Sequence, residues 1–140
     1  MTVEQDVGAG RLGMLARPLA SAAVAGAAVL TVALVDPNEA GHYPTCPFLA
    51  LTGLYCPGCG SLRAVHALTN GDLTTAVGLN VLTVLAVVTL SAMWARWAQR
   101  SWTGSPRRAV LPAVYIWSLL AVVLAFAVLR NIPLGAALAP

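Results

Sequence analysis

The chain has 140 residues, of which 59% are hydrophobic and 9% charged. A soluble domain covers its surface with roughly 25% charged residues, so water is a poor solvent for this composition, a bilayer suits it, and the length is enough for one compact unit and not two. The formal charge of +3 comes with no Lys at all; the Arg residues flank apolar runs instead of forming a basic stripe among exposed aromatics, which removes nucleic acid from the partner classes.

Taken in chain order, residues 1–17 read as a polar tail carrying Arg11 and Arg17. The first apolar run, Leu19 to Val35, follows Arg17-Pro18 and stops at Asp36-Pro37, so residues 18–35 are expected to form a first span. The run is longer than the apolar core of a secretory signal, and no small-residue cleavage site follows it. Ser21 with Ala25 and Ala22 with Gly26 sit four apart, a spacing that lets a second helix approach closely. Residues 36–75 form a cysteine-bearing segment. A second span is expected over 76–97, an Arg-rich loop over 98–108, a third span over 109–129 and a short tail over 130–140. A spanning helix needs roughly 17–25 apolar residues, and helices satisfy their own backbone within one span. The expected fold class is therefore all-α, an integral membrane protein with three transmembrane helices and a short interfacial or re-entrant helix carrying the cysteine motif.

Charge sets the expected orientation. Arg11, Arg17, Arg96, Arg100, Arg107 and Arg108 lie on one side of a three-span chain, and Arg63 and Arg130 on the other. Loops rich in Arg stay in the cytoplasm, which puts the N-terminus inside and the cysteine segment and C-terminus outside. Trp94, Trp97 and Trp102 then fall at the cytoplasmic edge, where interfacial aromatics sit.

Between the first two expected spans, Cys46 to Tyr55 is apolar but too short to cross a membrane, and Gly53 and Pro57 punctuate it. Cys56-Pro57-Gly58-Cys59-Gly60 follows, then a short helical stretch from Ser61 to Leu68 and a turn at Asn70-Gly71. Pro57 suits the first position of a helix; with Cys56 as N-cap, Cys59, Arg63 and His66 would share one face, at spacings of four and seven. A helix N-terminus and a nearby Arg both favour the thiolate. The bland alternative has Arg63 reaching for lipid headgroups and His66 as an interfacial residue. Asp72 is placed to cap the second span. Asn80 shares a helical face with Asp72, Ala76 and Thr83, and its carboxamide needs a partner in an apolar setting; it reads as structural glue.

Cys46-Pro47, Thr52-Gly53, Cys56-Pro57-Gly58-Cys59-Gly60, Arg63-Ala64, Gly71-Asp72 and Asn80 together resemble a bacterial family of membrane proteins catalogued as a domain of unknown function (two-seven-five-two). The resemblance covers about Cys46 to Asn80, roughly a quarter of the chain, and its combined motif is specific where a lone Cys-Pro-x-Cys would not be. It implies a polytopic membrane protein centred on the cysteine segment and supplies no activity. The chain departs from the pattern at Val81, where members commonly carry Pro, so the residue that would bend the helix after Asn80 is missing.

Three cysteines leave three readings open. One is a disulfide staple, for example Cys46–Cys56. Another is thiol–disulfide exchange, with Cys56 attacking, Cys59 resolving, Cys46 relaying and a quinone as acceptor by analogy with membrane disulfide-generating enzymes. The third is a zinc site built from Cys46, Cys56, Cys59 and either His42 or His66. No nucleophile elbow, Walker loop or H-E-x-x-H motif occurs, and no ionisable residue lies near the centre of a span. The sequence thus favours a non-enzymatic structural or accessory component whose partners are the bilayer and further membrane subunits, with the redox and metal readings as alternatives.

Overall fold

The computed structural model describes residues 3–39, 41–104 and 112–139, and among them every regular element is a helix. They are α1 (Val3–Leu34), α2 (Pro47–Thr52), α3 (Ser61–Thr69), α4 (Leu73–Thr103), α5 (Ala113–Leu129) and a final 3-10 helix (Pro133–Leu138). Arg107 and Arg108 of the expected loop, and residues 109–111 at the expected start of the third span, lie outside the described residues.

Among the described residues, two helices are long and apolar enough to cross a bilayer: α1 over Gly13–Leu34, with mean hydropathy 1.6, and α4, with mean hydropathy 2.1. The third apolar helix, α5, has 17 residues, about 25 Å at 1.5 Å each, against an apolar layer of about 30 Å. These helices leave large apolar side chains uncovered, among them Val24 at 73%, Val88 at 64% and Ile116 at 64% exposure. In water each such side chain forgoes roughly 1.5–3 kcal/mol of burial. The apolar helices therefore fit a lipid environment.

The chain divides into two compact units. One gathers α1 up to Ala28 with α4 from Val87 onward. Within it, the carbonyl of Pro18 accepts from Ser21 Oγ at 2.8 Å and from Trp94 Nε1 at 3.2 Å. Pro18 lies inside α1 and is fully buried.

The other unit holds Val29–Ala86 together with α5 and the 3-10 helix. Its buried centre is made of small residues: Ala67 of α3 with Ala76 and Val84 of α4, and Leu68 packed against them. Ala64 and Ala76 have no exposed surface; side chains this small let backbones approach closely. The head of α4 is set by Asp72, whose Oδ1 accepts the N–H of Thr75 at 2.9 Å, a carboxylate on the orphan donors of a first turn. The hydroxyls of Thr74 and Thr75 also donate to this carboxylate, and with the Thr75 N–H they hold its pKa down to about 2.

Candidate functional site

The Cys56 to Gly60 stretch is a pair of tight turns, not the start of a helix. Cys59 N–H donates to Cys56 O at 3.1 Å and Ser61 N–H to Gly58 O at 3.0 Å. Proline suits the second position of such a turn, and Pro57 takes it. Gly60 then adopts φ 82 as the residue that leads into α3, a left-handed conformation that a side chain disfavours. The helical stretch read over Ser61 to Leu68 is α3 (Ser61–Thr69), but the extension back to Pro57 is corrected: Cys56 is not its N-cap, and Cys59, Arg63 and His66 do not share a helical face. Among the three cysteines, the one that precedes a helix opened by proline is instead Cys46, with Pro47 opening α2.

These two local structures bring three sulfurs together. Cys56 Sγ lies 2.9 Å from Cys59 Sγ and 3.5 Å from Cys46 Sγ, and all three sulfurs fall within 4.8 Å of one another. The backbone N–H of Cys56 donates to Cys59 Sγ at 3.3 Å. The environments differ. Cys59 is buried, and that burial, with the Cys56 thiol beside it, pushes its pKa up to about 12. Cys46 is drawn below the ordinary thiol value, first by the backbone N–H of Leu49 in the opening turn of α2 and then by the Cys56 thiol.

Polar side chains from two distant helices hold this loop by its backbone. Asn80 is 1% exposed, and its Nδ2 donates to Pro57 O at 2.9 Å and to Cys59 O at 3.0 Å. It can do so because α4 breaks there, with Asn80 at φ −166, ψ 93, an extended backbone without strain. Thus the helix is interrupted at this point even though Val81 is not proline, and the face expected to run from Asp72 through Asn80 to Thr83 is not continuous. The break leaves orphan groups on both sides. Asn80 Oδ1 accepts the N–H of Thr83 at 3.0 Å, capping the second half of α4, and the carbonyl of Leu79 accepts from Arg130 Nη2 at 3.4 Å.

Arg130 is 2% exposed. Its Nη1 donates to Cys56 O at 3.1 Å and Pro57 O at 3.5 Å, its Nε to Leu138 O at 2.9 Å, and its guanidinium lies 5.0 Å from the centre of the Phe126 ring. The neighbouring Asn131 pairs with Tyr55 in both directions: it accepts from the Tyr55 N–H at 2.8 Å and donates to the Tyr55 carbonyl at 2.9 Å. The carbonyls of Tyr55, Cys56, Pro57 and Cys59 are thereby turned toward Asn80, Arg130 and Asn131. In the sequence Arg130 stands out only as a charge on the side poor in Arg, and Asn131 not at all; a polar Arg-Asn pair closing an apolar run is the signal available there.

The remaining candidates lie elsewhere. His66 Nδ1 is 2.8 Å from Val32 O, so Nδ1 carries the proton, since a carbonyl only accepts; Nε2 faces Asp36 Oδ1 at 3.8 Å. His42 pairs with Glu39 at 3.4 Å and contacts Asp36 O at 3.0 Å. Neither histidine is grouped with the sulfurs among the described residues. Arg63 lies half-buried on α3, and the hydrogen bonds at the sulfur cluster come from other residues. Chemically, three sulfurs at these separations can share one soft ion, since ligands about 2.3 Å from a tetrahedral zinc stand roughly 3.8 Å apart, or two of them can join as a disulfide.

Residues 46–94 match the model of a family described as a protein of unknown function (DUF2752). The matched stretch contains Cys46, Cys56, Cys59, Asp72 and Asn80, and the resemblance read from the motif holds over it. No curated protein and no solved structure matches the chain.

Proposed function

We propose that this is a multi-pass membrane protein whose cysteine segment binds a thiophilic metal ion through Cys46, Cys56 and Cys59. The observation that carries the reading is the convergence of all three sulfurs within 4.8 Å. A staple needs only two of them. Moreover, the loop already has anchors in Asn80, Arg130 and Asn131, so the structural role favoured by the sequence does not account for the third sulfur. A three-thiolate shell suits zinc or copper and leaves a zinc ion one open position, where a water, a substrate or a further membrane subunit can bind. In this reading α1, α4 and α5 are the three spans, the N-terminus is cytoplasmic, and the Arg asymmetry puts the sulfurs on the extracytoplasmic side. Thiols in that compartment are exposed to oxidation, and a bound ion would protect them.

A second reading is thiol–disulfide exchange, which the contrast between Cys46 and Cys59 favours. Here Cys46, not Cys56, would be the attacking sulfur and Cys59 a protonated resolving thiol.

Metal analysis of the protein purified anaerobically in detergent separates these readings. About one ion per chain, lost in Cys59→Ser, supports the metal site. Metal-free protein with two sulfurs bridged, and a bridge that mild reductant opens, supports exchange; a bridge resistant to reductant returns the segment to a staple.

A further inference from the structure

We propose that Arg130 is the built-in counter-ion of the sulfur site, so that the occupied site carries one net negative charge, as a divalent thiophilic ion on three thiolates does. The inference rests on the metal reading above. Arg130 is 2% exposed, and its recorded partners are carbonyls: Leu138, Cys56, Pro57 and Leu79. Carbonyl dipoles solvate a guanidinium without neutralising it. The ion pairs found among the described residues join His42 to Glu39 and His66 to Asp36, and neither involves Arg130.

An arginine stays cationic in proteins, and a buried charge needs an opposite one. Arg130 Nη1 reaches the carbonyls of Cys56 and Pro57 at 3.1 and 3.5 Å, which sets the guanidinium against the turn that carries the Cys56 and Cys59 sulfurs. Among the described residues, the fixed charge held against the carbonyls of Cys56 and Pro57 is the positive one of Arg130. Three thiolates on a divalent ion sum to −1 and balance it. Three thiolates on a monovalent ion sum to −2 and do not, so a monovalent ion is held by two thiolates with the third sulfur left as a thiol.

The test is cadmium titration of the reduced full chain in detergent, read by its sulfur-to-cadmium absorption band. Arg130→Gln, which keeps hydrogen-bonding capacity but not charge, weakens binding by about 10–100-fold, the effect of one unit charge several ångströms away at an effective dielectric near 20. Arg130→Lys, which loses the fork but keeps the charge, stays within about threefold of the unaltered chain. A Gln variant that binds like the unaltered chain, or a Lys variant as weak as Gln, overturns the inference and leaves the metal site standing. An unaltered chain that does not bind cadmium overturns the metal site itself. Should neutral variants fail to fold, alkylation of the unaltered chain decides: cadmium protects all three thiols, whereas cuprous ion leaves one open. Equal protection of all three by cuprous ion overturns the inference.

Discussion

The long apolar helices and the cysteine segment solve opposite problems. In α1 and α5 the hydrogen-bonding groups of the backbone are consumed within the helix, and the side chains present apolar surface to the surroundings, as Val24 and Ile116 do. Between Tyr55 and Gly60 there is no helix to consume them, and the carbonyls of Tyr55, Cys56, Pro57 and Cys59 are met one by one by Asn131, Arg130 and Asn80. Irregular backbone beside a membrane is tolerated only where protein or water satisfies it. Here that satisfaction fixes the backbone of the turn from which the Cys56 and Cys59 sulfurs project. The helices supply a location, and a handful of buried polar side chains supply a site.

If that division is right, the two regions should respond to different insults. Leu120 lies near the middle of α5 and is 44% exposed. Replacing it with Arg should cost roughly 2.5–3.5 kcal/mol of membrane insertion, whereas Leu120→Ala should insert nearly as well as the unaltered chain; a glycosylation-reporter insertion assay reads both. Equal insertion of the Arg variant would remove lipid from the surroundings of α5.

Asn80→Ala should come next. It orphans the carbonyl of Cys59 and the N–H of Thr83 and removes a donor from Pro57, at about 2–3 kcal/mol in all. Thermal unfolding in detergent should shift down, and alkylation of Cys59, now buried, should speed up. Gly60→Ala is expected to cost about 1 kcal/mol, because φ 82 is a left-handed conformation; the same alkylation assay should register a smaller acceleration.

The smallest effect belongs to Asp72, on the exposed head of α4. Its carboxylate pKa is lowered to about 2 from 3.8, so the stability it contributes is complete above about pH 4 and is lost as the pH falls through about 2. Asp72→Asn should lower the melting temperature slightly at pH 7 and show no difference from the unaltered chain once the pH is below 2. A difference that persists in acid would mean that capping geometry, not the charge, carries the effect.

What could be read from the residues alone follows a simple rule of distance along the chain. Apolar runs announce apolar helices because hydropathy is local, and Asp72 sits directly before the helix whose N–H groups it accepts. The Cys-x-x-Cys spacing guarantees that Cys56 and Cys59 are near each other in a helix or a turn alike. The short helix read over Ser61 to Leu68 is there as α3, but whether it reached back to Pro57 was not legible, because proline serves equally as a first helical residue and as the second residue of a turn; the φ of Gly60 decides between them. Without the extension to Pro57, His66 turns to Val32 and Asp36 instead of the sulfurs. The break at Asn80 was invisible for a related reason: the sequence lacks the expected proline, and an amide that finds carbonyls 21 and 23 residues away leaves no local mark. Arg130 is farther still, 74 residues from Cys56, and entered the sequence reading only as a charge on the side poor in Arg.

The central question for the cysteine segment is whether Cys46, Cys56 and Cys59 hold one ion together. X-ray absorption at the metal edge of anaerobically purified protein addresses that directly. The expected result is a bound ion with three sulfur neighbours at about 2.3 Å. A shell of oxygen and nitrogen alone, or protein without an ion and with two of the three sulfurs joined, would contradict it.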